Sequence, residues 1–226
     1  MAARSRFAED HIATAVARGV RQLVILGAGL DTFSIRNPHA SAGLRVYEVD
    51  RPASQAWKRA RLAEAGLTPP ASTSFVGINF ETQKLGASLT DAGVNLQEPV
   101  FFMWLGVVPY LTRDAIIATL NVIATIPGSE VVFDYSEPLE NFPPDRRLKL
   151  EELATRASAI GEPWLSYFDP AELSNLLHAS GFDAVEDLGI PDIETRYLGA
   201  ESSNSEAGPG GHVLYARVAS RSEKSV

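Results

Sequence analysis

Cysteine is absent from the 226-residue chain. Its absence removes disulfide frameworks, cysteine zinc sites, iron–sulfur clusters and thiol nucleophiles. Histidine is scarce: His11, His39, His178 and His212 are scattered, and no His/Asp/Glu group has metal-ligand spacing. No metal site is expected, and each histidine reads as structural or solvated. Positive charge is in deficit, with 20 Lys+Arg against 28 Asp+Glu and a net charge of −8. This balance argues against a general nucleic-acid or anionic-membrane binder. Long apolar runs are also missing. The densest, Val100–Leu111, is 12 residues long, short of the roughly 18–20 of a membrane span, and it contains Gly106 and Pro109. The first residues lack the apolar stretch and small-residue cleavage site of a secretory signal. A soluble, cytoplasmic protein is expected.

What is present suits one large domain. Apolar residues make up 45% of the chain, enough for a core without covalent staples. A helix is predicted over Arg4–Ala17, from Phe7, Ile12 and Val16, with Gly19 as its stop. Strands are expected at Gln22–Leu26, Leu44–Val49, Thr73–Gly77, Val100–Leu105, Glu130–Tyr135, Ala184–Leu188 and His212–Val218. Helices are expected at Ala53–Ala65, Arg113–Ile126, Arg147–Ile160 and Pro170–Ala179. Strands alternating with helices predict an α/β fold with a largely parallel sheet. The last two strands flank a segment without helical pattern, which suggests an antiparallel pair. Residues 199–211 read as a mobile loop, and residues 219–226 as a frayed tail. The proline-bracketed insert 138–163 is a candidate lid.

The first strand runs into Gly27-Ala28-Gly29-Leu30-Asp31. Glycines let a backbone pass close to a ligand and take torsions that other residues avoid. Asp50 stands 21 residues beyond Gly29 at the end of the second strand, and Glu48, two residues before it, is a further candidate cofactor contact. A strand-end carboxylate can accept from both hydroxyls of a ribose. Turn and acid together read as a site for a nucleoside-containing cofactor. A dinucleotide site wants a third glycine, where this chain has Thr32. Asp31 inside the turn is badly placed for a pyrophosphate but suits sulfonium and ammonium groups. The pattern therefore favours S-adenosyl-L-methionine over NAD. Trp104, Tyr110 and Tyr135 lie at or just past strand ends where ligands bind in such sheets, and Arg36 could orient an anionic acceptor. Each also has a plain reading, as a core aromatic or a solvated charge.

VILGAGLDT, VYEVDRP, FFMWLGVVPYLT and VVFDYSEP occur in that order. Together they resemble the leucine carboxyl methyltransferase-like family of S-adenosyl-L-methionine-dependent O-methyltransferases, over Arg4 to Val218. The resemblance implies a class I methyltransferase fold: a Rossmann-like, seven-stranded sheet of order 3-2-1-4-5-7-6 with strand 7 antiparallel. It implies that Arg4 grips the cofactor's carboxylate, that Gly27, Ala28 and Gly29 line its methionine part, and that Asp50 takes the ribose. Asn79 and Phe80 stand where relatives have Asp and an apolar residue at the adenine. Leu105 replaces a glutamate near the amino group, leaving that contact to backbone carbonyls or Asp31. The product would be S-adenosyl-L-homocysteine and the acceptor a small molecule, methylated on a carboxylate or a hydroxyl. Such relatives often carry several tens of residues ahead of the helix at Arg4, which help close the substrate pocket. With little before Arg4, an open active site is expected. The alternatives are a degenerate, non-catalytic homologue and, behind it, a nucleotide-cofactor oxidoreductase.

Overall fold

The computed structural model describes residues 2–79, 83–199 and 210–220. Seven strands form one sheet: β1 (Gln22–Leu26), β2 (Arg45–Asp50), β3 (Thr73–Gly77), β4 (Phe101–Trp104), β5 (Glu130–Ser136), β6 (Phe182–Gly189) and β7 (Gly211–Val218). Their order is β3-β2-β1-β4-β5-β7-β6. The first five strands run parallel, and β7 lies antiparallel between β5 and β6. This is the class I methyltransferase topology that the resemblance implied.

Most residues of the parallel strands are apolar, as expected of a sheet packed on both faces. Alternation sorts their side chains. Val24, Leu26, Tyr47, Val49, Phe102 and Phe133 join the core on one face, with Ile116 and Leu120 of α5 (Arg113–Ala124) and Leu173 and Leu177 of α7 (Pro170–Ser180). Leu23, Ile25, Val46, Phe101 and Met103 enter the core on the other face, with Phe7, Ile12 and Val16 of α1 (Ala2–Ala17). Helix starts follow local chemistry. Thr112 accepts from the Ala115 amide at 3.3 Å, and Asp169 accepts from those of Ala171 and Glu172 at 3.0 and 3.2 Å. Gly181 ends α7 in the left-handed region, at φ +106°.

The remaining helices are α2 (Phe33–Arg36), α3 (Pro52–Glu64), α4 (Leu85–Asp91), α6 (Pro144–Ala159) and α8 (Ile190–Leu198). Helix α8 corrects the expectation of a helix-free connection between the last two strands. Its nine residues place Ile193 and Tyr197 against α1's core, a repeat shorter than the span in which periodicity is legible. Helices α2 and α4 went unseen for the same reason. Strand β6 starts two residues earlier than expected, with a register shift between Phe182 and Ala184. Residues 200–209 of the expected loop and 221–226 of the expected tail lie outside the described residues. No helix among the described residues is long and apolar enough to cross a membrane.

Candidate active site

The carboxyl ends of β1 and β2 are tied together by the glycine turn. The Gly27 and Ala28 amides both donate to the Val49 carbonyl, at 2.7 and 3.1 Å. The Gly29 amide donates to Asp50 Oδ2 at 2.6 Å, and the Arg51 amide to Oδ1 at 2.7 Å. Turn and strand-end acid are therefore in direct contact. A carboxylate offers about four lone-pair positions, so two such bonds leave room for further donors. Gly27 holds φ +65°, and a Cβ there would meet Val107 Cγ2 at 2.4 Å. Glycine is required here for the torsion and for the approach of the segment after β4.

Gly27 and Asp50 line a cavity of about 550 Å³. Gly106, Val107 and Tyr110 form its second wall, and Gly161–Pro163 with Leu165 its third. The third wall belongs to the stretch following α6. It is tied to the second by the Leu165 amide, which donates to the Pro109 carbonyl at 2.6 Å, and by Ser166 Oγ, which donates to the Val108 carbonyl at 2.9 Å. The end of the expected lid thus borders the cavity, whereas α6 itself contributes no buried residue.

Beneath the turn lies a buried polar layer. Glu48 is fully buried, paired with Lys58 Nζ at 2.6 Å and hydrogen-bonded by Ser34 Oγ. Lys58 Nζ also donates to the Asp31 carbonyl at 2.6 Å. Asp31 Oδ1 accepts from the Phe33 amide at 2.7 Å and opens α2. Glu48 and Asp31 therefore brace the turn from behind and do not line the cavity. Lysine on α3 carried no sequence signal for this role, since helix-face lysines are normally solvated.

A second polar group joins three elements beside the first cavity. Arg4 of α1 is paired with Asp134 Oδ2 of β5. Asp134 Oδ1 accepts from the Gly106 amide at 2.5 Å. Arg4 and Asp134 line a second cavity, of about 480 Å³, with Pro109, Tyr135, Glu194 and His212. Asp134 lay within the VVFDYSEP motif, but its role needed the Arg4 contact to be visible. His212 is held by Asp187 Oδ1 at 3.0 Å and Glu137 Oε1 at 3.1 Å. Burial would lower its pKa, but the two carboxylates outweigh that and raise it. Glu137 is moved down despite burial, by Asn141, His212 and the Gly210 amide. Tyr135 stacks on His212 and donates to Asp187 Oδ2 at 2.5 Å. Burial, followed by that hydrogen bond, raises its pKa.

The other expected residues fall elsewhere. Trp104 is fully buried in the core beside Phe133 and lines neither cavity. Leu105 packs against the α1 core, while its neighbour Gly106 reaches the site. Arg36 is bound by Glu9 on α1, away from both cavities. Asn79 exchanges hydrogen bonds with Gln83 through its amide and carbonyl, at 2.8 and 2.9 Å. Phe80 lies outside the described residues. Tyr110 borders the first cavity and Tyr135 the second.

The family model described as leucine carboxyl methyltransferase matches residues 1–124. The protein YktD of Bacillus subtilis, named for S-adenosyl-L-methionine-dependent methyltransferase activity, is 34% identical over 216 residues, 95% of this chain and 71% of its own length. The chain belongs to the leucine carboxyl methyltransferase family. Its cofactor is accordingly S-adenosyl-L-methionine. A similarly named protein of Mycolicibacterium smegmatis is 34% identical over 169 residues, 74% of this chain. This chain spans only about half of that relative, 53% of its length. Among solved structures, a DUF574 family protein from Streptomyces avermitilis superposes with a TM-score of 0.67 at 19% identity, covering 96% of this chain and 83% of that one. Magnesium protoporphyrin IX methyltransferase from Synechocystis, solved with S-adenosyl-L-homocysteine, gives 0.56 at 15% identity, covering 96% and 84%. At these identities the structures speak for the fold.

Proposed function

We propose that this protein methylates an oxygen, of a carboxylate or a hydroxyl, on a small molecule, using a single methyltransferase domain over residues 1–218 and acting in the cytoplasm. The observation that carries the reading is the direct hydrogen bond between the Gly29 amide and Asp50 at the edge of a cavity large enough for an adenosyl group. Asp50 would accept from the ribose hydroxyls. Gly27, Ala28 and Gly29 would pass close to the amino-acid half, with no side chain in the way at either glycine. Arg4, joined to Asp134 beside Gly106, would take the cofactor's carboxylate. Asn79 and Phe80 remain the proposed adenine contacts. The bound cofactor supplies an electrophilic methyl group on a sulfonium. The protein's task is then to hold an acceptor oxygen in line and about 3–3.5 Å away, and to exclude water.

Tyr110 and Tyr135 are proposed as acceptor-side walls. A net charge of −8 supports a small-molecule acceptor over nucleic acid or an anionic membrane. The test is calorimetry with S-adenosyl-L-homocysteine on the wild type and on Asp50→Ala and Asp50→Asn. Hydrogen bonds to a charged group contribute about 1.5–3 kcal/mol, so the alanine variant should lose about 10- to 150-fold in affinity. Asparagine keeps an acceptor for the Gly29 amide and should preserve the fold if alanine does not. Unchanged affinity in both variants would remove the ribose assignment.

A further inference from the structure

The end of the proline-bracketed insert supplies the third wall of the first cavity. That wall begins where α6 stops. Gly161 turns the chain at φ +84°. Its amide donates to the Ser158 carbonyl at 3.0 Å, and the Glu162 amide donates to the Ala157 carbonyl at 2.9 Å. This is the paired closure of a glycine-ended helix, and it sets the course of the chain beyond it. Glu162 is the next residue, and it lines the cavity. Three residues later the chain is tied down again, by the Leu165 and Ser166 bonds to the Pro109 and Val108 carbonyls. Residues 161–165 therefore form a strap fixed at both ends.

Glu162 is the one charged residue of this strap. Among the described residues its carboxylate has neither a hydrogen bond nor an ion pair, and the hydroxyl of Ser54, in the first turn of α3, is equally uncommitted. Asp50, by contrast, already accepts from two amides. While the cavity is open to water, a free carboxylate is solvated. A ligand that fills the cavity removes that water, and the carboxylate then needs a new partner. An ionised carboxylate only accepts, so the partner must be a donor on the ligand.

The adenosyl cofactor carries three kinds of donor: the ammonium, the ribose hydroxyls and the exocyclic amine of adenine. Position selects between them. Arg4, proposed for the cofactor's carboxylate, lines the second cavity and not the first. The amino-acid half is thereby directed past Gly106 towards Arg4, and the adenosine half is left among Asp50, Ser54 and Glu162. Asp50 takes the ribose hydroxyls. The exocyclic amine has two hydrogens, so a contact with Asn79 does not exhaust it.

Resting on the cofactor assignment above, we propose that Glu162 is a further cofactor-binding residue, which accepts a hydrogen bond from the exocyclic amine of adenine and makes the strap after α6 part of the nucleoside pocket.

Two ligands test this by calorimetry on the full chain: S-adenosyl-L-homocysteine, and its analogue with purine in place of adenine, which lacks only the amine. Wild type should prefer the adenine ligand by about tenfold, the low end for a hydrogen bond to a charged group. Glu162→Ala should lose about tenfold for S-adenosyl-L-homocysteine and nothing for the purine analogue, so the preference closes. Glu162→Gln keeps an acceptor oxygen without the charge and should fall between the two. The side chain is exposed, so thermal melts of both variants should match wild type. Unchanged affinity of Glu162→Ala for S-adenosyl-L-homocysteine overturns the proposal. An equal loss for both ligands also overturns it, since a merely structural role, or a contact with the ribose or the ammonium, would weaken both alike. Failure of wild type to bind S-adenosyl-L-homocysteine would remove the cofactor reading itself. Binding that Asp50→Ala weakens and Glu162→Ala leaves untouched would remove only the role of Glu162.

Discussion

Gly27→Ala isolates how much the site depends on one missing methyl group. Gly27 sits at φ +65°, and an L-residue there costs roughly 1–2 kcal/mol. The new Cβ would also lie 2.4 Å from Val107 Cγ2 and 3.1 Å from Cγ1, so Val107 must move. Overpacking of this kind costs about 1–3 kcal/mol. Together the two effects predict a loss of about 2–5 kcal/mol, read as a lower urea midpoint with an unchanged slope. Val107 lines the cavity proposed for the cofactor, so its displacement should also weaken S-adenosyl-L-homocysteine binding. The double variant Gly27→Ala/Val107→Ala separates the causes. It relieves the overlap and leaves the torsion, so a coupling of about 1–3 kcal/mol should appear in the double-mutant cycle. The reasoning is refuted if Gly27→Ala melts within about 0.5 kcal/mol of wild type, a shift typical of an inert surface position. It is also refuted if the two substitutions simply add.

Two other perturbations address the layers around the turn. Lys58→Met strands the fully buried Glu48 carboxylate, and breaking one side of a buried pair costs about 3–5 kcal/mol. Denaturant melts should show that loss, and Lys58→Met/Glu48→Gln should recover much of it; a single variant as stable as wild type would contradict the pairing. His212 has a folded pKa raised above its ordinary 6.5, so its contribution to stability is complete below about 6.5 and is lost as pH rises through the higher folded value. Glu137 is shifted the opposite way, below 4.5, and its contribution is lost only as pH falls through that lowered value. Melts between pH 6 and 9 should therefore show a decline that His212→Gln flattens, and an identical profile in the variant would discount the clasp.

Much of the scaffold was legible because it rests on local rules. Short apolar stretches marked all seven strands, and alternation with helices pointed to a largely parallel sheet. Thr112, Asp169 and Gly181 marked helix ends through bonds and torsions that depend on only a few neighbouring residues. Short helices escaped, since α8 spans nine residues and presents too few repeats for its period to stand out. The site divides in the same way. Gly27, Gly29 and Asp50 announced themselves by residue type and spacing, and the fold brings them into contact.

The chain by itself determined the fold class and marked the glycine turn and the strand-end acid that the fold brings together, because each is written in residues adjacent along the strand ends. Only the tertiary structure decided what the remaining charges do. It sent Glu48 and Asp31 behind the turn and Arg36 to Glu9. It joined Arg4 to Asp134 across 130 residues, and it set His212 between Glu137 and Asp187. Coulomb and hydrogen-bond partners are chosen by distance in space, and sequence spacing carries that distance only within an element or a single turn.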